Sequence, residues 1–239
     1  MSTAPAGSTR ALWLALLLLG GSVAFFELTN TDLWLQDHFF NFETRRWLVD
    51  EKAPAGRLVF YDGPKVLVWG LAVAALALAA GPGRWRERFG LDRRGLWLAV
   101  LVIATVPALA GIGKKYTNTF CPFEVRRYGG DVVYAKLCEP FPAADRPARR
   151  GGCFPAGHAS GGFALMGLLA VRATRRWRNA AVALGLGLGW WMGGYQMLKG
   201  AHYLSHTVAT MLVAWIVLLL WQRALRIPAG RENDKAAPR

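Results

Sequence analysis

Cysteine is nearly absent from this chain. Only Cys121, Cys138 and Cys153 occur among 239 residues, and all three fall between residues 113 and 158. Cysteines gathered in one loop place that loop on the side of a membrane where disulfides persist. Internal repeats are also missing. The one biased tract is the polar tail from about residue 229, ending "GRENDKAAPR", which is expected to be disordered. Acids are few, 15 against 29 Lys and Arg, giving a net charge of +14 and a pI near 10.4. Such a balance suggests nucleic acid, but the arginines flank apolar blocks and read more simply as topology anchors. No nucleic-acid partner is expected.

Apolar residues are what the chain has in excess: 54% of it is hydrophobic, with 11 Trp and 12 Phe. They come in blocks approaching the roughly 20 residues that cross a bilayer. Six are visible: Ala11–Leu28, Val66–Ala80, Leu96–Ile112, Ala159–Ala173, Ala180–Leu198 and Leu204–Trp221. The fold class predicted is all-α, a polytopic membrane protein of six transmembrane helices forming one domain over residues 1–239. Gly20, Gly21 and Ser22 are followed by more apolar residues, so the first block reads as a retained helix rather than a signal peptide. With the N-terminus in the cytoplasm, the inner segments hold 15 Lys/Arg against four acids, and the outer ones 14 against 11. The dense clusters "RWRERFGLDRRG" and "RATRRWRN" follow the positive-inside rule. This orientation implies a bacterial inner membrane, with residues 29–65 and 113–158 facing the periplasm. The aromatics of "DLWLQDHFFNFETRRWL" suit a helix lying at the interface.

Chemistry concentrates at that outer face. His158 opens the fourth block within "GGCFPAGHASGGF", where small residues leave backbone N–H groups accessible to an anion. His202 and His206 lie in "LKGAHYLSH" where the fifth block turns into the sixth, and Lys114 and Lys115 close the third. Taken singly, a lysine at a helix end snorkels and a lone histidine caps a helix. Taken together, three helix ends put imidazoles and cations on one side.

These residues resemble the type 2 phosphatidic acid phosphatase superfamily of integral-membrane lipid phosphatases. Its pattern runs K-x-x-x-x-x-x-R-P, then P-S-G-H, then S-R-x-x-x-x-x-H-x-x-x-D. "KKYTNTFCP" places Lys114 eight before Pro122, "PAGH" spans Pro155–His158, and "QMLKGAHYLSH" matches the third part. Cys121 and Gln196 stand where the family has arginines, and His206 where it has the aspartate.

The resemblance implies a metal-independent hydrolase without cofactor, acting on a membrane phospholipid or isoprenoid phosphate. His202 is then the nucleophile that forms a phosphohistidine, His158 the general acid, and His206 the group that orients His202. Lys114, Lys115 and Lys199 bind the phosphate, with Arg126 or Arg127 in place of the missing arginines. The N–H groups of Ala156 and Gly157 add donors at the start of a helix. Cys121 and Cys153 belong to the first two motifs, so a disulfide between them clamps both; Cys138–Cys153 is the competing pair. Water as acceptor makes a phosphatase, a lipid acceptor a phosphotransferase, and lost catalysis a lipid-binding or transport protein. The i, i+4 spacing of His202 and His206 also suits zinc. However, Tyr203 occupies the position of a catalytic glutamate, and neither neighbouring apolar block holds an acid.

Overall fold

Backbone polar groups in an apolar run must be satisfied within the segment, and helices achieve this. In the computed structural model, which describes residues 6–50 and 53–228, all six apolar blocks are helical. They become α1 (Ala6–Leu28), α4 (Gly63–Ala80), α6 (Arg93–Tyr116), α7 (Gly157–Ala164), α8 (Arg175–Leu198) and α9 (Leu204–Ala224). Shorter helices α2 (Thr31–Asp37), α3 (Pro54–Arg57) and α5 (Gly83–Phe89) join them; α3 runs through a π turn into α4, and α7 continues as 3-10 turns over Leu165–Ala170. Among the described residues, four helices are long and apolar enough to cross a membrane: Thr9–Leu28, Pro54–Ala80, Arg93–Tyr116 and Leu204–Ala224. Against the six expected, α7 is too short, and α8 is diluted by Arg175, Arg176, Arg178 and a run of glycines. The tail expected to be disordered lies outside the described residues.

α7 sits in the middle, packed on α6, α8 and α9. Its Phe163, Ala164 and Leu165 are fully buried in the main apolar core. The approach to α8 depends on two glycines. A Cβ on Gly162 would lie 2.5 Å from the Gly189 nitrogen, and one on Gly189 would overlap the Phe163 ring. Backbones meet this closely only where side chains are absent.

Loops of opposite character close the two ends of the bundle. At one, Arg86 donates to the carbonyls of Leu78 and Gly81, and the Asp92 N–H to the Val171 carbonyl. At the other, residues 29–50 and 117–156 form a cap over the start of α9. The interfacial helix predicted there covers only α2. The following residues turn into a two-stranded hairpin, β1 (Phe40–Asn41) against β2 (Arg46–Trp47). The reason is local and tertiary at once. Asn41 Oδ1 accepts from the Glu43 and Thr44 N–H groups and tightens the turn. Phe40 and Trp47 then pack edge-on, at 4.8 Å between rings, beside Tyr128.

The cap is fastened to the helices by hydrogen bonds. Gln36 donates to the Met197 carbonyl at 2.7 Å, and the buried Asp32 carboxylate accepts from the Ser205 N–H at 2.9 Å. The latter satisfies an orphan donor in the first turn of α9. Replacing Gly189 by Ala is expected to lower stability by about 1–3 kcal/mol, the cost of forcing a methyl into a filled contact. Thermal unfolding of the purified protein measures it, and an unchanged Tm would show that the α7–α8 contact can relax.

Candidate active site

The loop that ends at α7 is tied down before it delivers His158. The Cys153 N–H donates to the Thr119 carbonyl, the Gly151 N–H to Asn118 Oδ1, and the Thr117 hydroxyl to the Phe154 carbonyl. Cys121 and Cys153 are joined by a disulfide, and Cys138 is an exposed free thiol. Closing a loop of this length restricts the unfolded chain by about 3–4 kcal/mol. Lys114 reaches the same place from the last turn of α6. Its Nζ lies 3.4 Å from the position that a Cβ on Gly157 would take, so the ammonium rests against the start of α7.

His202 is delivered by the turn between α8 and α9. Gly200 adopts φ of +73°, a conformation that side chains rarely take, and Trp47 fills the space where its Cβ would stand. The Gln196 carbonyl then accepts from the N–H groups of Ala201 and His202, at 2.7 and 3.3 Å. Gln196 is buried, and its side-chain Nε2 has no partner. The His202 ring is 3% exposed. Its Nδ1 lies 3.4 Å from His206 Nδ1 and 3.4 Å from Cys153 Sγ, which leaves Nε2 as the nitrogen free of both. His206, fully enclosed by Phe154 and Tyr203, also hydrogen-bonds the Cys153 backbone.

His158 and His202 face one another with ring centroids 6.4 Å apart. His158 is half-buried, its Nδ1 makes no hydrogen bond, and the Tyr61 ring lies 4.5 Å away. Lys199, the C-cap of α8, places its Nζ 5.4 Å from the Tyr195 ring and 5.8 Å from Tyr61. The charges of Lys114, Lys199 and Lys65 all reach the His158 ring. Below it opens a cavity of about 420 Å³, lined by Tyr61, Lys65, Trp69, Val73, Leu76 and Pro107 among others. Lys65 and His158 supply the charged and titratable groups of its lining, and most of the rest is apolar.

Several expected site residues are engaged elsewhere. Arg126 pairs with Asp145 and Arg127 with Asp37, both bidentate and at the surface of the cap. The bond from Arg127 holds the Asp37 carboxyl below its ordinary range. Their chain segment forms a 3-10 turn at Arg126–Tyr128, and both guanidiniums are committed to carboxylates of the cap. The Ala156 N–H donates to Thr210 Oγ1 at 2.9 Å and is not open to an anion, whereas Gly157 remains at the uncapped start of α7. Lys115 is exposed, and among the described residues no contact joins it to the histidines. Sequence reasoning missed Tyr61, Lys65 and Thr210; a lysine directly preceding an apolar block, in "GPKVLVW", was the available signal for one of them. Cys121, Cys153 and His202 bring ligand atoms within 4.8 Å of one another, but the disulfide takes both sulfurs.

Two facing imidazoles, with lysines of three helices on the same side, lie at one end of a bundle of apolar helices that mark a membrane protein. The PAP2 superfamily model matches residues 95–226, more than half of the chain, and the protein belongs to that superfamily. Its members are phosphatases of phosphate esters, often lipids. No curated protein and no solved structure matches the chain.

Burial, reinforced by His206 and by the ammonium groups of Lys114 and Lys199, pushes the His202 imidazole well below its usual value of 6.5. The neutral ring therefore persists as pH falls through 6.5. NMR of ring-labelled protein should find His202 neutral at pH 6; protonation at or above pH 6.5 would contradict the reading.

Proposed function

We propose that this protein is a membrane lipid phosphatase that works through a phosphohistidine on His202. The observation that carries the reading is the opposition of His202 and His158, 6.4 Å apart, with His158 also lining a largely apolar cavity beside Lys65. His202 Nε2 attacks phosphorus as the bond to the leaving oxygen breaks, and His158 gives that oxygen its proton. Phosphorylation makes the His202 ring cationic, and the Nδ1–H faces His206, whose neutral nitrogen accepts it. Water then attacks the phosphohistidine while His158 takes the proton back. The P–N bond breaks, and inorganic phosphate leaves with both histidines restored.

Lys114 and Lys199 neutralise the charge on the equatorial oxygens. The Gly157 N–H, aligned with the positive end of α7, adds a donor. Trp69, Val73 and Leu76 give the cavity an apolar wall suited to a hydrocarbon chain, so the substrate class is a lipid phosphate or diphosphate. The chemistry needs no metal.

Topology follows the charge imbalance. One domain of six spans, α7 and α8 included, has both termini in the cytoplasm and the active site at the periplasmic face of the inner membrane. A periplasm-dependent reporter fused after Arg239 should be silent, and activity there would reverse the orientation.

Phosphate release from a lipid phosphate tests the mechanism. His202→Ala should lower kcat at least about a thousandfold, because no other residue forms the intermediate. Lys114→Ala should cost about 2–4 kcal/mol of transition-state stabilisation. His158→Ala should lose least with a nitrophenyl phosphate, whose leaving group needs little protonation. Substantial turnover by folded His202→Ala would move the nucleophile to His206.

A further inference from the structure

Lys65 is the third ammonium at the site, and it comes from outside the matched stretch. It stands one turn into α4, where Tyr61 is four residues before it and Trp69 four after, so the three share a helix face. Lys65 and His158 line the same cavity. Tyr61 is their common neighbour: its ring lies 4.5 Å from the His158 ring, 6.0 Å from Lys65 Nζ and 5.8 Å from Lys199 Nζ. Among the described residues Lys65 makes no ion pair. Asp62, the nearest acid in the chain, is held by Arg57 at 3.1 Å. Further along the same face, Trp69, Val73 and Leu76 turn the cavity apolar.

Like charges directed at one small volume repel unless an anion joins them. Lys65 comes from α4 and Lys199 from the end of α8, and both ammonium groups meet the Tyr61 ring that lies against His158; Lys114 comes from α6 and lies against Gly157, the residue before His158. The gradient along α4 also has a direction, with the ammonium at the end nearest the cap and hydrocarbon contacts farther in.

We propose that Lys65 is a substrate-binding residue whose ammonium holds a phosphate oxygen at His158, aligning an amphiphilic phosphate so that its chain follows α4 into the cavity. This rests on the phosphatase reading for the identity of the substrate, but the anion site itself does not depend on turnover. A lysine serving only to anchor α4 at the interface sits at the same helix position, and the two roles separate by charge-selective binding.

The test is orthophosphate binding to the intact, detergent-solubilised protein by isothermal titration calorimetry, paired with phosphate release from a long-chain and a soluble phosphate ester. Lys65→Met is expected to weaken orthophosphate roughly tenfold, the loss of about one charge-assisted contact. Lys65→Arg should stay within about threefold of wild type, since it keeps the charge. With the long-chain ester, Lys65→Met should raise KM more than it lowers kcat. Unchanged orthophosphate binding by Lys65→Met, equal loss in the Met and Arg variants, or no orthophosphate binding by the wild type would each overturn the proposal. Wild type that binds orthophosphate through Lys65 yet releases phosphate from no ester would leave the anion site standing and sink the phosphatase reading instead.

Discussion

The site depends on backbone contact at the start and middle of α7, where side chains are missing. Gly157 leaves room for the Lys114 ammonium, Ala156 lets its N–H reach Thr210, and Gly162 meets Gly189 backbone to backbone. Each of these brings a different helix, α6, α9 and α8, against one short segment. A single added methyl at such a contact separates the helices by a fraction of their spacing, and close-packed interiors do not absorb that gently. The 6.4 Å between the His158 and His202 rings is set by this packing.

The cations divide into two groups with different surroundings. Arg126 and Arg127 have carboxylate partners at the surface of the cap, where solvent screens them and each pair contributes little. Their planar guanidiniums fix the cap's shape. Lys114, Lys199 and Lys65 gather instead about His158, and among the described residues no ion pair with an acid is formed by Lys114 or Lys65. Burial and the neighbouring His206 hold the His202 imidazole neutral, and a cluster of ammonium groups favours an anion over a cation nearby.

The cap does for the loops what the apolar blocks do for the helices. Phe40, Phe120, Val125, Tyr128 and Val132 form a second small core above the bundle. The Cys121–Cys153 disulfide, whose Cys153 sulfur touches His202 Nδ1, ties that core to the site. Asp32 completes the link by satisfying the first turn of α9, two residues after His202 leaves the turn at Gly200. His202 is consequently supported from the cap as well as from the apolar helices.

Much of this was legible in the residues. Long apolar runs have one way to satisfy their backbones, so the helices and their order followed from composition, and the spacing from Lys114 to Pro122 and from Gln196 to His202 carried the family. Local pattern failed where a partner distant in sequence decided the outcome. Aromatics spaced as for an interfacial helix became a hairpin because Tyr128 supplied a ring to pack on. Arg126 and Arg127 looked available until Asp145 and Asp37 met them, and the Ala156 N–H looked open until α9 brought Thr210. Lys65 went unnoticed in the sequence because only the packing of α4 beside α7 brings it to the cavity that His158 lines. The sequence determined which groups exist and which segments are helical, since those depend on neighbours along the chain; charge partners and free donors were decided only when remote segments came into contact.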